Sequence, residues 1–579
     1  MVFVPPAWAP QLPDLPDSIT VGEFINSESY GRCPFASARN PYTCGISGKS
    51  HGPSHVARRV DCLARAIGKR LGFSPNEGTA WDRVVAIYAL NTIDYIPLTH
   101  AIHRLSGIVT PASAAYSAQE LEFQLRSSSV RALFTCLPLL ENARQAARAV
   151  NIPEDRIFLL TLPGDSKSRG QSPLATVEDL IKEGEALPPV EPLRWTKGQG
   201  ARQTAYLAYS SGTSGLPKAV MISHYNVIAN IMQLVLTDSV PRKKLGITTQ
   251  ASFGALPFSH IYGLVFVSLV SQYRGDEIVV LPRFDLTVTL EAVQRFRIQQ
   301  LNVVPPMLIQ VTANRDKCAK YDLSSVRWVF SGAAPLGTEV IQNLKKLYPK
   351  WKIGQGYGMT EASPGVLSTV ETDCLPGSSG VLIPGTIAKV IDSEGKEVTE
   401  YETPGELLVQ SPSIVLGYMN NEKANAETFI WDNDGRWLRT GDEVLVRKSE
   451  QGDEHFVITD RIKELIKVKG HQVAPAELEA HLLAHPFVSD CTVIPIPDDR
   501  AGEVPKAFVV KSKTADGKSD VHVAAAISKH VEEHKARYKW LKGGVEFIDV
   551  VPKSPSGKIL RRLLKDKEAQ ARKKAGAKL

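Results

Sequence analysis

Residues 206–221 read Tyr206-Leu-Ala-Tyr-Ser-Ser-Gly-Thr-Ser-Gly-Leu-Pro-Lys-Ala-Val-Met221. A short apolar run that can form a buried strand opens into Ser210, Ser211, Gly212, Thr213, Ser214 and Gly215, and the stretch closes on Lys218 before more apolar residues. This composition suits a phosphate loop. Glycines let backbone N–H groups approach an anion closely, hydroxyls add donors, and a lysine supplies a compact positive charge. A flexible surface connection has the same composition, so at this point both readings stand. The spacing excludes two others. A Walker loop needs Gly-Lys-Ser/Thr, whereas Leu216 and Pro217 separate Gly215 from Lys218. In Gly354-Gln-Gly356-Tyr-Gly358, the third glycine of a dinucleotide fingerprint would fall where Met359 stands.

The 579 residues suffice for several domains, and 43% hydrophobic with 22% charged residues is ordinary for a globular protein. The net charge of +7 is modest, and much of it lies in a tail carrying Lys565, Lys567, Arg572, Lys573, Lys574 and Lys578. A solvated helix end accounts for that cluster, so no nucleic-acid partner is expected. Seven scattered cysteines with no Cys-x-x-Cys pair predict free thiols in a reducing compartment. The N-terminus lacks a basic region followed by an apolar core, and no run reaches the ~18 apolar residues of a membrane span. An intracellular, soluble protein is expected.

Residues 1–50, rich in Pro, Ser, Gly and Asn, read as an extended surface arm. From about Ser54, helical spacing of Val56, Val60, Leu63, Ile67 and Leu71 precedes a buried strand at 84–88. The pattern continues with a strand at 108–110, a helix at 120–128 and a strand at 132–135. This alternation predicts a parallel sheet covered by helices. A second such region spans about 204–350, with a helix at 226–235 and strands at 277–281, 301–304 and 326–331. Residues 380–445 suggest a small twisted β subdomain. The last region, from about 460, reads as a mixed α+β lobe of roughly 115 residues, with helices at 475–483 and 523–534. The fold class expected is α/β: a large N-terminal domain of parallel sheets with a small β subdomain, and a smaller mobile α+β C-terminal domain.

Seven stretches, in order, resemble the adenylate-forming superfamily of acyl-CoA synthetases, luciferases and peptide-synthetase adenylation domains. They are Tyr209-Ser-Ser-Gly-Thr-Ser-Gly-Leu-Pro-Lys218, Leu256-Pro-Phe-Ser-His260, Ser331-Gly-Ala-Ala-Pro335, Gly356-Tyr-Gly-Met-Thr360-Glu361, Arg439-Thr-Gly-Asp442, Asp460-Arg461-Ile-Lys463-Glu and Pro552-Lys-Ser-Pro-Ser-Gly-Lys558. The likeness covers about 50–565 and is nearest to 4-coumarate–CoA ligases and fungal phenylacetyl-CoA-type ligases. It implies an N-terminal domain over 1–461, a C-terminal lobe over 462–579, and a reaction in which a carboxylate attacks ATP·Mg²⁺ to give acyl-AMP and pyrophosphate before coenzyme A displaces AMP.

The resemblance also implies roles. Ser210–Gly215 and Lys218 hold the departing phosphates; Thr360 donates to the α-phosphate and Glu361 carries Mg²⁺. Ala333, Ala334, Gln355, Gly356 and Tyr357 form the adenine slot, and Asp442 with Arg461 binds the ribose. Lys558 bridges the attacking carboxylate and the α-phosphate. Lys463 is the hinge about which the lobe turns, so that Lys467, Lys469, Gly470 and Gln472 enter for thioester formation. His260 gates the coenzyme A tunnel, and Arg283 faces a coenzyme A phosphate. Ile261, Tyr262, Val304, Pro305, Pro306, Met307, Gly332, Ala362, Ser363 and Pro364 line the acyl pocket, mostly apolar as for a flat or short-chain acid. His471 replaces the phenylalanine usual in the plant enzymes.

His481 and His485, four apart with Glu477 nearby, do not fit the protease zinc pattern and read as a solvated helix face. The terminal Ala577-Lys578-Leu579 is a close variant of the peroxisomal address Ser-Lys-Leu, which predicts a peroxisomal import receptor as partner. The expected function is a peroxisomal acyl-CoA ligase acting on an aromatic (cinnamic or phenylacetic type) or medium-chain acid. The alternatives are a fatty-acid-specific synthetase, a luciferase-like oxygenase, transfer to a carrier protein, and, from a different class, a silent nucleotide sensor.

Overall fold

The computed structural model describes residues 2–164, 173–210, 217–469, 471–498, 500–554 and 557–576. Two sheets dominate. One has nine strands, whose parallel centre runs through Lys352–Gly358, Trp328–Ser331, Gln300–Val303, Ala251–Gly254, Glu277–Val280 and Tyr42–Cys44. The other has seven, with Thr204–Ser210, Ile108–Ala112, Val84–Tyr88, Ala132–Thr135 and Ile157–Leu159 parallel. Such strands are buried on both faces, which is why Val84–Tyr88 is apolar throughout. Val85 and Ile87 join the core shared by the two sheets; Val84, Ala86 and Tyr88 join a second core.

The stretch 206–221 is a hairpin. Lys218–Ser223 returns antiparallel on Thr204–Ser210, and Ser210 pairs with Lys218. The helix that follows, His224–Lys244, starts in a capping box between Ser223 and Asn226 and outruns the 226–235 span predicted from periodicity. The small β subdomain is a sheet of Ile387–Ile391, Gly405–Gln410, Gly435–Lys448, Phe429–Asp432 and Glu454–Arg461. No described helix is long and apolar enough to cross a membrane.

Residues 2–50 are woven in more tightly than an extended arm. Tyr42–Cys44 adds a parallel strand beside Glu277–Val280, the helix Val21–Asn26 buries Phe24 and Ile25, and buried Phe3 bridges to Ala388. The sequence concealed this because a three-residue strand and a six-residue helix are too short to show a period.

After Arg461 the chain leaves the small sheet and builds a lobe with its own core, from Ile466 to Leu564. Its sheet contains Ile466–Val468, His471–Val473, Gly502–Lys511, Val488–Asp498 and Val545–Phe547, covered by the helices Pro475–Leu483 and Asp520–His534. Partly buried Arg561 bonds Glu464 and, at 2.7 Å, Glu479, which draws the final helix against Pro475–Leu483 and the turn after Arg461. Removing Arg561 leaves the buried Glu479 carboxylate, and the partly buried Glu464, without compensation. Arg561→Ala is therefore expected to lower the unfolding free energy of the lobe by about 3 kcal/mol, read from the denaturant midpoint; an unshifted midpoint would remove Arg561 from the lobe's support.

Candidate active site

The hairpin ends bring Ser210 and Lys218 to the same edge as Glu361. Ser210 Oγ donates to Glu361 Oε1 at 3.2 Å, and Tyr418 Oη donates to the same oxygen at 2.8 Å. The Lys218 ammonium lies 4.4 Å from the centre of the Tyr418 ring, a cation–π contact. Burial and the neighbouring Glu361 carboxylate raise the Tyr418 phenol, which stays a donor. Tyr418 reaches this place because Gly417–Tyr418 pairs antiparallel with Met221 and Val220. Ser211, Gly212, Thr213, Ser214 and Gly215 lie outside the described residues. The two ends of that loop nonetheless converge on a buried carboxylate, a lysine and two hydroxyls.

Glu361 belongs to a single 3₁₀ turn, Thr360–Ala362, directly after the strand Lys352–Gly358. The strand's glycines have steric causes. A Cβ on Gly356 would stand 2.5 Å from the Phe330 ring, and one on Gly358 would stand 2.2 Å from the Pro364 carbonyl. Gln355 is buried; its Oε1 accepts from the Leu336 N–H at 2.7 Å, so it props the 332–336 loop from beneath. In that loop Ala333 holds φ +67°, a left-handed conformation that only a small side chain occupies at modest cost.

Tyr357 Oη donates to Asp442 Oδ2 at 2.6 Å, and Arg461 Nε lies 3.4 Å from Asp442 Oδ1. Asp442 and Arg461 face each other because they are directly opposed partners in the ladder between Gly435–Lys448 and Glu454–Arg461. Burial raises the Asp442 carboxyl; Arg461, the Tyr357 hydroxyl and Lys558 oppose it. The result is a buried acceptor suited to a pair of hydroxyls.

Lys558 approaches from the C-terminal lobe. Its N–H donates to Ser554 Oγ at 3.1 Å, and Gly557, at φ +84°, packs so tightly that a Cβ would stand 3.0 Å from Val304 Cγ2. The lobe is thus docked with its Lys558 turn on the wall formed by Val304 and Pro306. Burial lowers the Lys558 ammonium to about 8, with Arg461 acting in the same direction and Glu464, Asp442 and Glu361 opposing. On the other side, burial and Lys558 lower His260 to about 4. His260 is therefore neutral near pH 7. Its Nδ1 accepts from the Tyr262 N–H at 3.3 Å, which leaves the proton on Nε2. Lys558 thus shares one charge environment with His260, Asp442 and Glu361.

Behind His260, Tyr262–Val270 is a π-helix, a wide turn that often marks functional sites. Tyr262 Oη donates to the Phe330 carbonyl at 3.2 Å, and Phe266 stacks on Phe330 with centroids 4.7 Å apart. A Cβ on Gly332 would meet the Tyr262 ring at 3.1 Å. Ile261, Ala362 and Pro364 are buried, Pro306 partly so, and the buried Ser363 hydroxyl lacks a hydrogen-bond partner. Gly332→Ala is expected to displace the Tyr262 ring within the predicted acyl pocket, raising KM for the bulkiest accepted acid about tenfold, a methylene-sized discrimination, with KM for ATP unchanged. Equal selectivity in both proteins would show that Gly332 does not shape the slot.

Other sequence-predicted residues stand apart from this cluster. Lys463, Lys467, Lys469 and Gln472 are exposed on the lobe, and Arg283 is exposed beyond the strand Glu277–Val280. Gly470 lies outside the described residues, as do Ala577, Lys578 and Leu579. His471 stacks on Tyr538 at 4.3 Å. Sequence reasoning missed Tyr418, Phe266 and Phe330. The Tyr418 contact depends on strand register about two hundred residues from Lys218, and no local motif carries it.

A family model described as AMP-binding enzyme matches residues 48–419, and one described as AMP-binding enzyme C-terminal domain matches 477–558. The chain is 40% identical to the acyl-CoA ligase easD of Emericella nidulans, over 98% of this chain and 100% of that protein. It is equally 40% identical to the acyl-CoA ligase AFT1-1 of Alternaria alternata, over 98% and 97%. Among solved structures, an anthranilate CoA ligase, AuaEII, in complex with anthranoyl-AMP superposes with a TM-score of 0.79 at 24% identity, covering 96% of this chain and 98% of that one. A benzoate CoA ligase from Burkholderia xenovorans LB400 gives 0.76 at 20% identity, covering 94% and 99%. These superpositions carry the fold.

Proposed function

The chain belongs to the AMP-binding enzyme family as an ATP-dependent acid–CoA ligase, and from that premise we propose that it joins an aromatic or medium-chain carboxylic acid to coenzyme A through an acyl adenylate. The observation that carries this reading is the seating of the Lys558 turn, through Gly557, on Val304 and Pro306, in one structure with the Tyr357–Asp442 hydrogen bond.

On this reading Asp442 accepts from the ribose hydroxyls with Arg461 beside it, and the loop carrying Ala333 and Ala334 faces adenine with Gly356 and Tyr357. Lys558 and Thr360 hold the α-phosphate. A carboxylate oxygen attacks the α-phosphorus, the bond to the bridging oxygen breaks, and pyrophosphate departs with its charge held by Ser210, Lys218 and the intervening loop. The buried Glu361 carboxylate, among hydroxyls, is a hard oxygen site that fits Mg²⁺, which supplies charge neutralisation at the phosphates when bound. The coenzyme A thiol then attacks the acyl carbon and AMP leaves. For that step the lobe turns about Lys463, bringing Lys467, Lys469, Gly470 and Gln472 toward the site, with Arg283 against a coenzyme A phosphate. Neutral His260 separates thiol from acid without adding charge. The terminal Ala577-Lys578-Leu579 directs the enzyme to the peroxisome on this reading; a C-terminal truncation that leaves localisation unchanged would exclude that.

The aromatic wall of Tyr262, Phe266 and Phe330 supports the substrate class. Incubation with ATP, Mg²⁺ and cinnamic, phenylacetic, benzoic and C6–C16 fatty acids, with and without coenzyme A, tests it. Pyrophosphate and a thioester from the aromatic or medium-chain acids are expected. Turnover confined to long-chain acids would refute the substrate class.

A further inference from the structure

The helix Pro475–Leu483 and the residues just past it carry His481 and His485. The neighbouring helix Asp520–His534 carries His530 and His534. Each pair is spaced four apart, so each presents two imidazoles on one face, and the two helices are in contact. The sequence reading treated the first pair as a solvated face because Glu477 does not lie between the histidines as the protease zinc pattern requires. In the fold the rings converge. His481 and His530 stack with centroids 4.2 Å apart, His530 and His534 lie 5.0 Å apart, His481 and His534 5.5 Å, and His485 and His530 5.2 Å. One nitrogen from each of His481, His530 and His534 lies within 4.8 Å of the others.

We propose that His481, His530 and His534, with His485 at the margin, form a binding site for a zinc-class divalent transition metal that staples the two lobe helices. Three features support it. His530 Nε2 is buried without a hydrogen-bond partner. His481 Nε2 and His534 Nδ1 each meet the His530 carbonyl, at 3.2 and 2.8 Å; a backbone acceptor on one ring nitrogen orients the other toward a metal. Finally, Glu477 is engaged by Lys535 and Lys539, at 3.0 and 2.6 Å, and stays out of the cluster. An all-imidazole set favours zinc, copper, nickel and cobalt over magnesium and calcium. With Zn–N bonds of about 2.0–2.1 Å, tetrahedral ligand nitrogens stand about 3.4 Å apart, so small ring rotations close the set. His534 is exposed and leaves an approach path from solvent. The helix that bears His481 also bears Glu479, the partner of Arg561, so the metal would tighten the element that anchors the lobe.

The test uses full-length protein without an affinity tag, stripped with chelator. Zn²⁺ titration by calorimetry is expected to give one ion per chain, with a rise in the thermal midpoint. Because His534 is exposed, His534→Gln is expected to fold and to weaken binding about tenfold or more, and His481→Gln with His530→Gln to abolish it, acid-dependent pyrophosphate release being unchanged throughout. Co²⁺ provides a second measurement that needs no variant: a visible absorption band typical of four-coordinate nitrogen ligation is expected. Absence of binding, absence of that band, or full-strength binding in the variants, which would place the ion at the cysteines or at the His51–His55 pair, overturns the proposal.

Discussion

Lys558→Ala is expected to lower acid-dependent pyrophosphate release by about 10²–10³-fold, the usual effect of removing one preorganised charge donor from a transition state. Thioester formation from preformed acyl adenylate is expected to persist, because the proposed second step uses the other face of the lobe. The docked Lys558 turn, seated on Val304 and Pro306, is the physical basis. The same lysine sets a pH dependence. Its ammonium, lowered to about 8 by burial, is the catalytically useful form, so kcat/KM for the first step is expected to be full below that value and to fall as pH rises through it. Bound triphosphate adds negative charge and moves the fall in kcat upward, whereas kcat/KM reports the free enzyme. In Lys558→Arg the alkaline fall is expected to vanish, since guanidinium stays charged. Undiminished pyrophosphate release by Lys558→Ala would remove the residue from the mechanism.

Asp442→Ala is expected to raise KM for ATP by about 10–100-fold, from the loss of charged hydrogen bonds worth about 1.5–3 kcal/mol. The carboxylate is the shared acceptor of Tyr357 and Arg461 and sits buried against its own desolvation. Its removal relieves that cost, so the thermal midpoint is expected to hold while nucleotide affinity falls. Tyr357→Phe deletes only the hydroxyl that positions the carboxylate and is expected to give a smaller, several-fold rise. ATP titrations of pyrophosphate release, with a melting curve for each protein, check both. An unaltered KM in Asp442→Ala would place the ribose elsewhere.

Much of the fold was legible because its period was strong. The helix Pro475–Leu483 and the strands Val84–Tyr88 and Ala132–Thr135 follow directly from apolar spacing. Boundaries were less legible where capping decides them. His224–Lys244 begins earlier than its periodicity because Ser223 and Asn226 cap it, and it runs on through Pro241. Residues 2–50 resisted reading, since their short elements gain stability only by joining a sheet and core built from distant residues.

The chemistry the chain can offer is written in its local residues: a Ser/Gly/Thr stretch closed by Lys218, Glu361 after a glycine-rich strand, Asp442, Arg461, and Lys558 after a glycine. These are local properties, set by side-chain type and by backbone that only small residues can adopt. Which groups share a charge environment follows from folding alone: Tyr418 beneath Lys218, Tyr357 on Asp442, Lys558 acting on His260, and two histidine pairs facing each other. Each juxtaposition depends on strand register or domain docking across scores or hundreds of residues. Hydrogen bonds and electrostatic attraction act over a few ångströms in space, whatever the separation along the chain.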